Sequence, residues 1–212
     1  MLSDVPLYFA DQDWKRPDRA RYMGLLAKHR PVLATVLDWE QPEQLPEVMS
    51  WALEAAQHIS EAVLIVAKVP GGVGDLPETI GGKEVRIAYS VPTSYGGSPL
   101  GLWELRGRSV HLLGGSPQKQ VDVWRYLREI CEVRSVDGNM AKKMATSRCC
   151  YWTDIKSYRG HWLTLRGFYG NGPNECVKRS CEAIVAFWRS LYVCGCDCPA
   201  TTPLPAERLR GT

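Results

Sequence analysis

Apolar positions along this chain follow two rhythms. Short runs rich in β-branched residues recur at Leu7–Ala10, Val32–Leu37, Ala62–Val69, Val85–Val91, Val110–Leu113 and Glu132–Val136, and each predicts a strand. Between them apolar residues return every three or four positions, the spacing of one helix face. That spacing predicts helices over Arg19–His29, Leu45–Ile59 and Gln118–Ile130, and a fourth over Met140–Ser147. In the second, Leu45, Val48, Ala52, Ala55 and Ile59 share a stripe. Strands alternating with helices predict an α/β fold built on a parallel sheet, either an open doubly wound sheet or a (β/α) barrel of the TIM type. Val32–Leu37 and Ala62–Val69 are almost wholly apolar, as strands covered on both faces are. The Gly- and Pro-rich segments Val69–Gly82 and Pro92–Gly101 read as loops.

The pattern changes after about residue 148. Cys149–Gly172 is dense in aromatics and glycine, with Tyr151, Trp152 and Trp162 among them. Pro173–Val193 then predicts one long helix, with proline in its first turn. The expected organisation is a barrel-like domain over 1–147, a C-terminal helical, Cys-rich and basic extension over 148–198, and a Pro-rich polar tail over 199–212 expected to be disordered.

Composition narrows the class. At 212 residues, 45% hydrophobic and 23% charged, the chain can bury one sizeable core. No apolar run reaches the roughly 18 residues that span a bilayer, and Met1–Ala10 lacks the features of a secretory signal. Membrane-spanning, collagen-like and wholly disordered classes are excluded. The net charge of +3 hides an asymmetry: residues 1–139 hold 15 Lys and Arg against 18 Asp and Glu, and residues 140–212 hold 11 against 5. A basic C-terminal third is compatible with a polyanionic partner, though charge alone fits a solvated basic surface somewhat better. All eight cysteines lie between Cys131 and Cys198, and without an export signal they read as thiols or metal ligands, not a disulfide framework.

Candidate chemistry sits at strand ends. Parallel α/β folds build active sites at the carboxyl ends of their strands. Three predicted strands run into an aspartate: Leu7–Ala10 into Asp11, with Asp13 two residues on; Val32–Leu37 into Asp38; and Glu132–Val136 into Asp137. Asp at such a place also caps helices, so one instance means little, but three point to a site. A fourth strand runs into Gly114, Gly115, Ser116 and Pro117. Two glycines there admit close approach of a ligand, and the following helix start can hold an anion or a carbonyl oxygen. The plainer reading is a tight turn with proline near the first helical position.

The stretch VHLLGGSPQKQ, a helix, then VRSVDGN (Val110–Asn139) resembles the last two βα units of the tRNA-guanine transglycosylase superfamily. YFADQDW (Tyr8–Trp14) and ATVLDWE (Ala34–Glu40) fall where that superfamily carries its first catalytic and its base-reading aspartates. The DNA-acting members encoded by phages and genomic islands, which exchange guanine for a 7-deazaguanine, are the nearer likeness. Ala10–Trp14 stands in place of the superfamily's Asp-Ser-Gly-Gly-Phe-Gln, which leaves the first aspartate open between Asp11 and Asp13. Six predicted strands instead of eight imply an incomplete barrel.

The resemblance implies roles residue by residue. Asp137 would be the nucleophile at C1′, Asp11 or Asp13 the general acid and base, and Asp38 the acceptor for a guanine-type N–H edge. Gly114, Gly115 and Ser116 would frame the substrate. The partners implied are DNA and a free modified base, in the cytoplasm of a bacterial or phage-infected cell. A duplex target would have to be flipped out. Lys142, Lys143, Arg148, Lys156 and Arg159 would then grip phosphates, and Tyr151, Trp152 and Trp162 would stack on bases or pack in a core. Cys194, Cys196 and Cys198, with His161, Cys176 or Cys181, form a candidate structural zinc site, the one cofactor expected. His111, inside a strand, reads as packed or paired. A homodimer or a helper subunit could complete a short barrel. Three other readings remain open: a DNA glycosylase that excises a modified base, a non-catalytic nucleic-acid-binding protein on a decayed barrel, and a phosphate-binding barrel enzyme using Gly114–Pro117.

Overall fold

In the computed structural model, residues 7–94, 96–139, 141–142, 149–154, 159–164 and 172–193 are described. The chain divides into two compact units, one made of residues 1–113 and 123–137, the other of 114–122 and 138–212.

The first unit is a parallel sheet wound in chain order. Its strands are β1 (Phe9–Ala10), β2 (Leu33–Thr35), β3 (Ala62–Ile65), β5 (Lys83–Ser90), β6 (Ser109–Leu113) and β7 (Glu132–Val136), hydrogen-bonded in that sequence. A short antiparallel strand, β4 (Thr79–Ile80), pairs with β5 from the Gly/Pro-rich loop. All six expected strands are present and parallel, with shorter bounds for the first three. Each strand lies beside its predecessor, so the order never reverses. That excludes the doubly wound alternative, and the six parallel strands curl into a half-barrel.

Three helices follow the expected positions: α1 (Arg19–His29), α2 (Leu45–Ala56) and α3 (Pro117–Leu127). The Asp18 side chain caps α1 by accepting from the Arg21 N–H at 3.0 Å. The helix stops where Arg30 turns left-handed at φ 43° ahead of Pro31. Right-handed crossovers in chain order place successive helices on one face of the sheet. Val48, Trp51, Ala52, Ala55 and Ala56 of α2 and Tyr22, Met23 and Leu26 of α1 are buried.

The other face carries its own apolar cluster. Leu33, Ala62, Leu64, Val66 and Ala88 pack together, with Phe9, Val32 and Leu113 against them. The strand register explains the set: Phe9 pairs with Leu33 and Leu33 with Ala62, and every second residue faces the same way. Polar residues interrupt this face at Thr35, Arg86 and His111, all buried.

The second unit holds an antiparallel hairpin that the sequence pattern did not predict. Its strands β8 (Cys149–Asp154) and β9 (Arg159–Thr164) place Tyr151 opposite Trp162 and Trp152 opposite His161. The long helix α4 (Gly172–Val193) matches the expected one and lies against β8. Phe187, Trp188 and Ser180 on it are buried. Of the fourth expected helix, residues 141–142 are helical and the remainder lies outside the described residues, as does the expected tail over 199–212. Among the described residues no helix is long and apolar enough to cross a membrane.

This apolar cluster sets the stability of its face of the sheet. Truncating Leu64, fully buried there, should cost about 2–5 kcal/mol in urea unfolding. Leu25→Ala on the exposed side of α1, at 46% exposure, should stay within about 0.5 kcal/mol of the parent.

Candidate active site

Parallel strands end on one edge of their sheet, and Asp11, Asp38 and Asp137 follow β1, β2 and β7 at that edge. Thr35 fixes the first of them. Its hydroxyl donates to Asp11 Oδ1 at 2.8 Å and accepts the Gln12 N–H at 3.0 Å. From beneath, the Tyr22 hydroxyl of α1 donates to the Thr35 carbonyl at 2.7 Å and lies 3.1 Å from that of Ala10. Burial pushes the Tyr22 phenol well above its ordinary pKa, so it remains a donor.

Asp11 feels the charges of the other two carboxylates. Asp11 is exposed along a cavity of about 580 Å³ that Gln12, Asp13, Arg16 and Tyr22 help to line. Its pKa is raised. Desolvation by the surrounding protein is the main cause, and the Thr35 hydrogen bond opposes it. The negative charges of Asp137 and Asp38 raise it further, and His111 lowers it. Asp13, by contrast, is a turn residue. Its carboxylate accepts the Lys15 N–H at 3.1 Å, and its carbonyl accepts the Arg16 N–H at 3.0 Å.

Asp38 is ion-paired. Lys68, just past β3, meets Asp38 Oδ2 at 2.8 Å and Glu40 Oε1 at 2.7 Å. Burial raises the Asp38 pKa, and the Lys68 hydrogen bond and charge pull against that rise. Burial also works against the Lys68 ammonium, but Asp38 and Glu40 outweigh it and hold its pKa above the ordinary lysine value. The same ammonium lies 5.7 Å from the ring centre of Trp14, and Lys15 lies 5.2 Å from it. Trp14 is 62% exposed, an aromatic plate with two cations near its ring, one of them the lysine that pairs with Asp38.

A β-bulge sets Asp137. Val110 pairs with Val133, but His111 pairs with Ser135, so one residue of β7 is skipped. The skip moves Ser135 and, two residues on, Asp137 to the side of the sheet that His111 occupies. The Asp137 N–H donates to the Leu112 carbonyl at 3.1 Å, which holds the strand end in place. His111 is 1% exposed and stacks on Phe9 with ring centres 5.4 Å apart. Its Nδ1 lies 2.8 Å from Ser135 Oγ, and its Nε2 faces Asp137 Oδ1 at 3.4 Å. Arg86 donates to Ser135 Oγ at 3.2 Å and is itself held by Glu84 and Glu61. A polar chain therefore runs Arg86–Ser135–His111–Asp137. With the Ser135 hydroxyl donating a hydrogen bond to Nδ1, the ring N–H is on Nε2 and faces Asp137 Oδ1 at 3.4 Å.

Gly114, Gly115 and Ser116 belong to the second unit. Both glycines are left-handed, at φ 69° and 77°, a conformation that favours glycine. The Gly114 carbonyl accepts from Gln120 Nε2 at 2.8 Å, and the Ser116 hydroxyl lies 3.4 Å from the Lys119 N–H in the first turn of α3. Ser116 thus has the position of a helix cap. Lys142 is exposed, and Arg159 opens β9 opposite Asp154. Lys143, Arg148, Lys156, Cys194, Cys196 and Cys198 lie outside the described residues. Among the described residues no three His, Cys, Asp or Glu side chains are placed to hold a metal.

Sequence reasoning missed Thr35, Lys68, Arg86, Ser135 and Gln12. The available signals were a lone threonine and a lone arginine inside apolar strands, and a lysine closing one. The bulge that turns Ser135 toward His111 leaves no mark in the apolar pattern.

The model of one family of unknown function, DUF6610, matches residues 1–189. No curated protein and no solved structure matches the chain.

The raised pKa of Asp11 carries a sign. Its protonated form is favoured in the folded chain, so that contribution is complete below the unfolded value near 3.8 and is lost as pH rises through the folded value. Asp11→Asn keeps an acceptor for Thr35 and removes the loss. The variant should melt above wild type at about pH 7, with the gap closing as pH falls toward about 4. Equal melting temperatures across that range would contradict the shift.

Proposed function

The chain belongs to DUF6610, a family of unknown function, and from its own carboxylates we propose that it exchanges a guanine in DNA for a 7-deazaguanine-type base through a covalent aspartyl intermediate. The half-barrel is read as an incomplete (β/α) barrel, in keeping with the resemblance to the tRNA-guanine transglycosylases. The observation that carries the reading is that His111, whose Nε2 faces Asp137 Oδ1 at 3.4 Å, also stacks on Phe9, two residues before Asp11, so the ends of β1 and β7 meet through one side chain. Two carboxylates set on either side of a glycosidic bond, one of them inclined to hold a proton, are what its cleavage requires.

The steps follow from those places. Asp137 attacks C1′ as the bond from C1′ to the base breaks, giving a glycosyl ester through an oxocarbenium-like transition state. Asp11, whose pKa burial raises, is the group that gives a proton to the departing base. In the return step an incoming base attacks C1′, Asp11 takes the proton it sheds, and the Asp137 ester is released. His111 holds Asp137 by facing one of its oxygens. Asp38, anchored by Lys68 through one oxygen, would receive a base N–H with the other. Trp14, with two lysines near its ring, suits a base flanked by phosphates. The basic C-terminal third would supply further phosphate contacts, with zinc in its cysteine cluster as the candidate structural metal.

The test is a trapping assay. Protein is incubated with DNA and a 7-deazaguanine base, denatured, and examined for a protein–DNA adduct. Wild type should give an adduct that Asp137→Ala abolishes while still binding DNA. An adduct that persists in the variant would remove Asp137 from the role. Release of a base with no incorporation of the second would replace exchange with excision.

A further inference from the structure

The His111 ring is closed off from solvent, yet Nε2 has no hydrogen-bond partner among the described residues and faces Asp137 Oδ1 at 3.4 Å. Which ring nitrogen carries the hydrogen therefore decides what Asp137 meets. The other nitrogen settles the choice. Nδ1 lies 2.8 Å from Ser135 Oγ, and the same oxygen lies 3.2 Å from Arg86 Nη1. A guanidinium donates and never accepts, so Ser135 accepts from Arg86. Among the described residues, Nδ1 is then the one acceptor that the Ser135 hydroxyl hydrogen meets. Arg86 cannot drift from this task, because it is nearly fully buried and paired with Glu61 and Glu84.

We infer that Ser135 is a positioning residue for Asp137: anchored by Arg86, its hydroxyl fixes the His111 hydrogen on Nε2, and that N–H restrains the Asp137 carboxylate. The opposite tautomer would turn a ring lone pair toward Asp137 Oδ1 and repel it, whereas an N–H attracts it. Ser135, His111 and Asp137 are the residue types of a hydrolase triad, wired in the reverse sense. Here the serine meets Nδ1 and the carboxylate faces Nε2, so the serine directs the ring and is not itself the attacking group. This inference rests on Asp137 as the nucleophile and names the residue that sets its aim.

The strand register shows what makes the device possible. Without the skipped residue in β7, Arg134 would stand opposite His111, and Nδ1 would have no hydroxyl to receive. The aim matters because attack at carbon tolerates little misplacement: a shift of about 1 Å can cost roughly 100-fold in rate.

The experiment compares wild type, Ser135→Ala and Ser135→Thr, with a thermal melt of each. In the ligand-free proteins, nitrogen-15 NMR reads the His111 ring and carbon-13 NMR reads the Asp137 side-chain carboxyl. Wild type should carry the ring hydrogen on Nε2. Ser135→Ala should lose that single form and shift the Asp137 carboxyl resonance, and Ser135→Thr, which keeps the hydroxyl, should restore both. In the trapping assay Ser135→Ala should form the Asp137 adduct at least about tenfold more slowly than wild type, and Ser135→Thr should recover the rate. Should Ser135→Ala not fold, the wild-type ring decides: hydrogen on Nε2 supports the inference. Hydrogen on Nδ1 in wild type, an Asp137 resonance unmoved in Ser135→Ala, or an adduct that this variant forms at the wild-type rate each overturns it. The outcome is separable from the proposed reaction. A ring and a carboxyl that respond to Ser135→Ala, with no adduct from wild type, would keep the positioning device and discard base exchange. An adduct formed equally fast without the Ser135 hydroxyl would do the reverse.

Discussion

A parallel sheet whose strands follow chain order leaves the chain little choice. Each crossover must return over the same face, so the helices gather on one side and the strands curl away from them. Every strand also ends on the same edge, which brings residues more than a hundred positions apart, Asp11 and Asp137, within electrostatic reach. Neither result needs a special residue; both follow from the winding. What the residues add is the filling of the face that carries the apolar cluster, apolar at Leu33, Leu64 and Ala88 and polar at a few fixed points.

Those polar points are joined, and the joins link fold to chemistry. Thr35 ties β2 to the segment after β1 and, through Tyr22, to α1, so the residue that orients Asp11 also closes the packing beneath it. At the other side of the sheet Arg86, Ser135 and His111 form a chain that ends at Asp137. Arg86 is nearly fully buried and Glu61 and Glu84 balance its charge, so the chain starts from a fixed cation. Lys68 does the same for Asp38. Each carboxylate is therefore held by a different device: a hydroxyl, an ammonium and an imidazole. Carboxylates held so differently can take different parts in one reaction.

Much of this architecture was legible in the sequence, for a physical reason. Buried parallel strands and amphipathic helices write their periods directly into the apolar pattern, so all six parallel strands and α1 to α3 were readable near their true places. Asp11, Asp38 and Asp137 were readable because strand ends in such a sheet are special places. The devices that hold them were not. Lys68 and Thr35 are single residues with no spacing to betray them. The bulge at Val110 and His111 changes which residues share a face without altering hydrophobicity, so Ser135 and His111 could not be paired in advance. The β8–β9 hairpin escaped because its alternation is masked by aromatics and cysteines at neighbouring positions.

The account depends on Asp11 and Asp137 feeling each other's charge. The most direct measurement is a carbon-13 NMR titration of the Asp11 side-chain carboxyl in wild type and in Asp137→Asn. The account predicts a wild-type Asp11 pKa above the ordinary value of 3.8, and a fall when the charge at Asp137 is removed. An Asp11 that titrates at its ordinary value, or above it but unmoved by the substitution, would contradict a shared site.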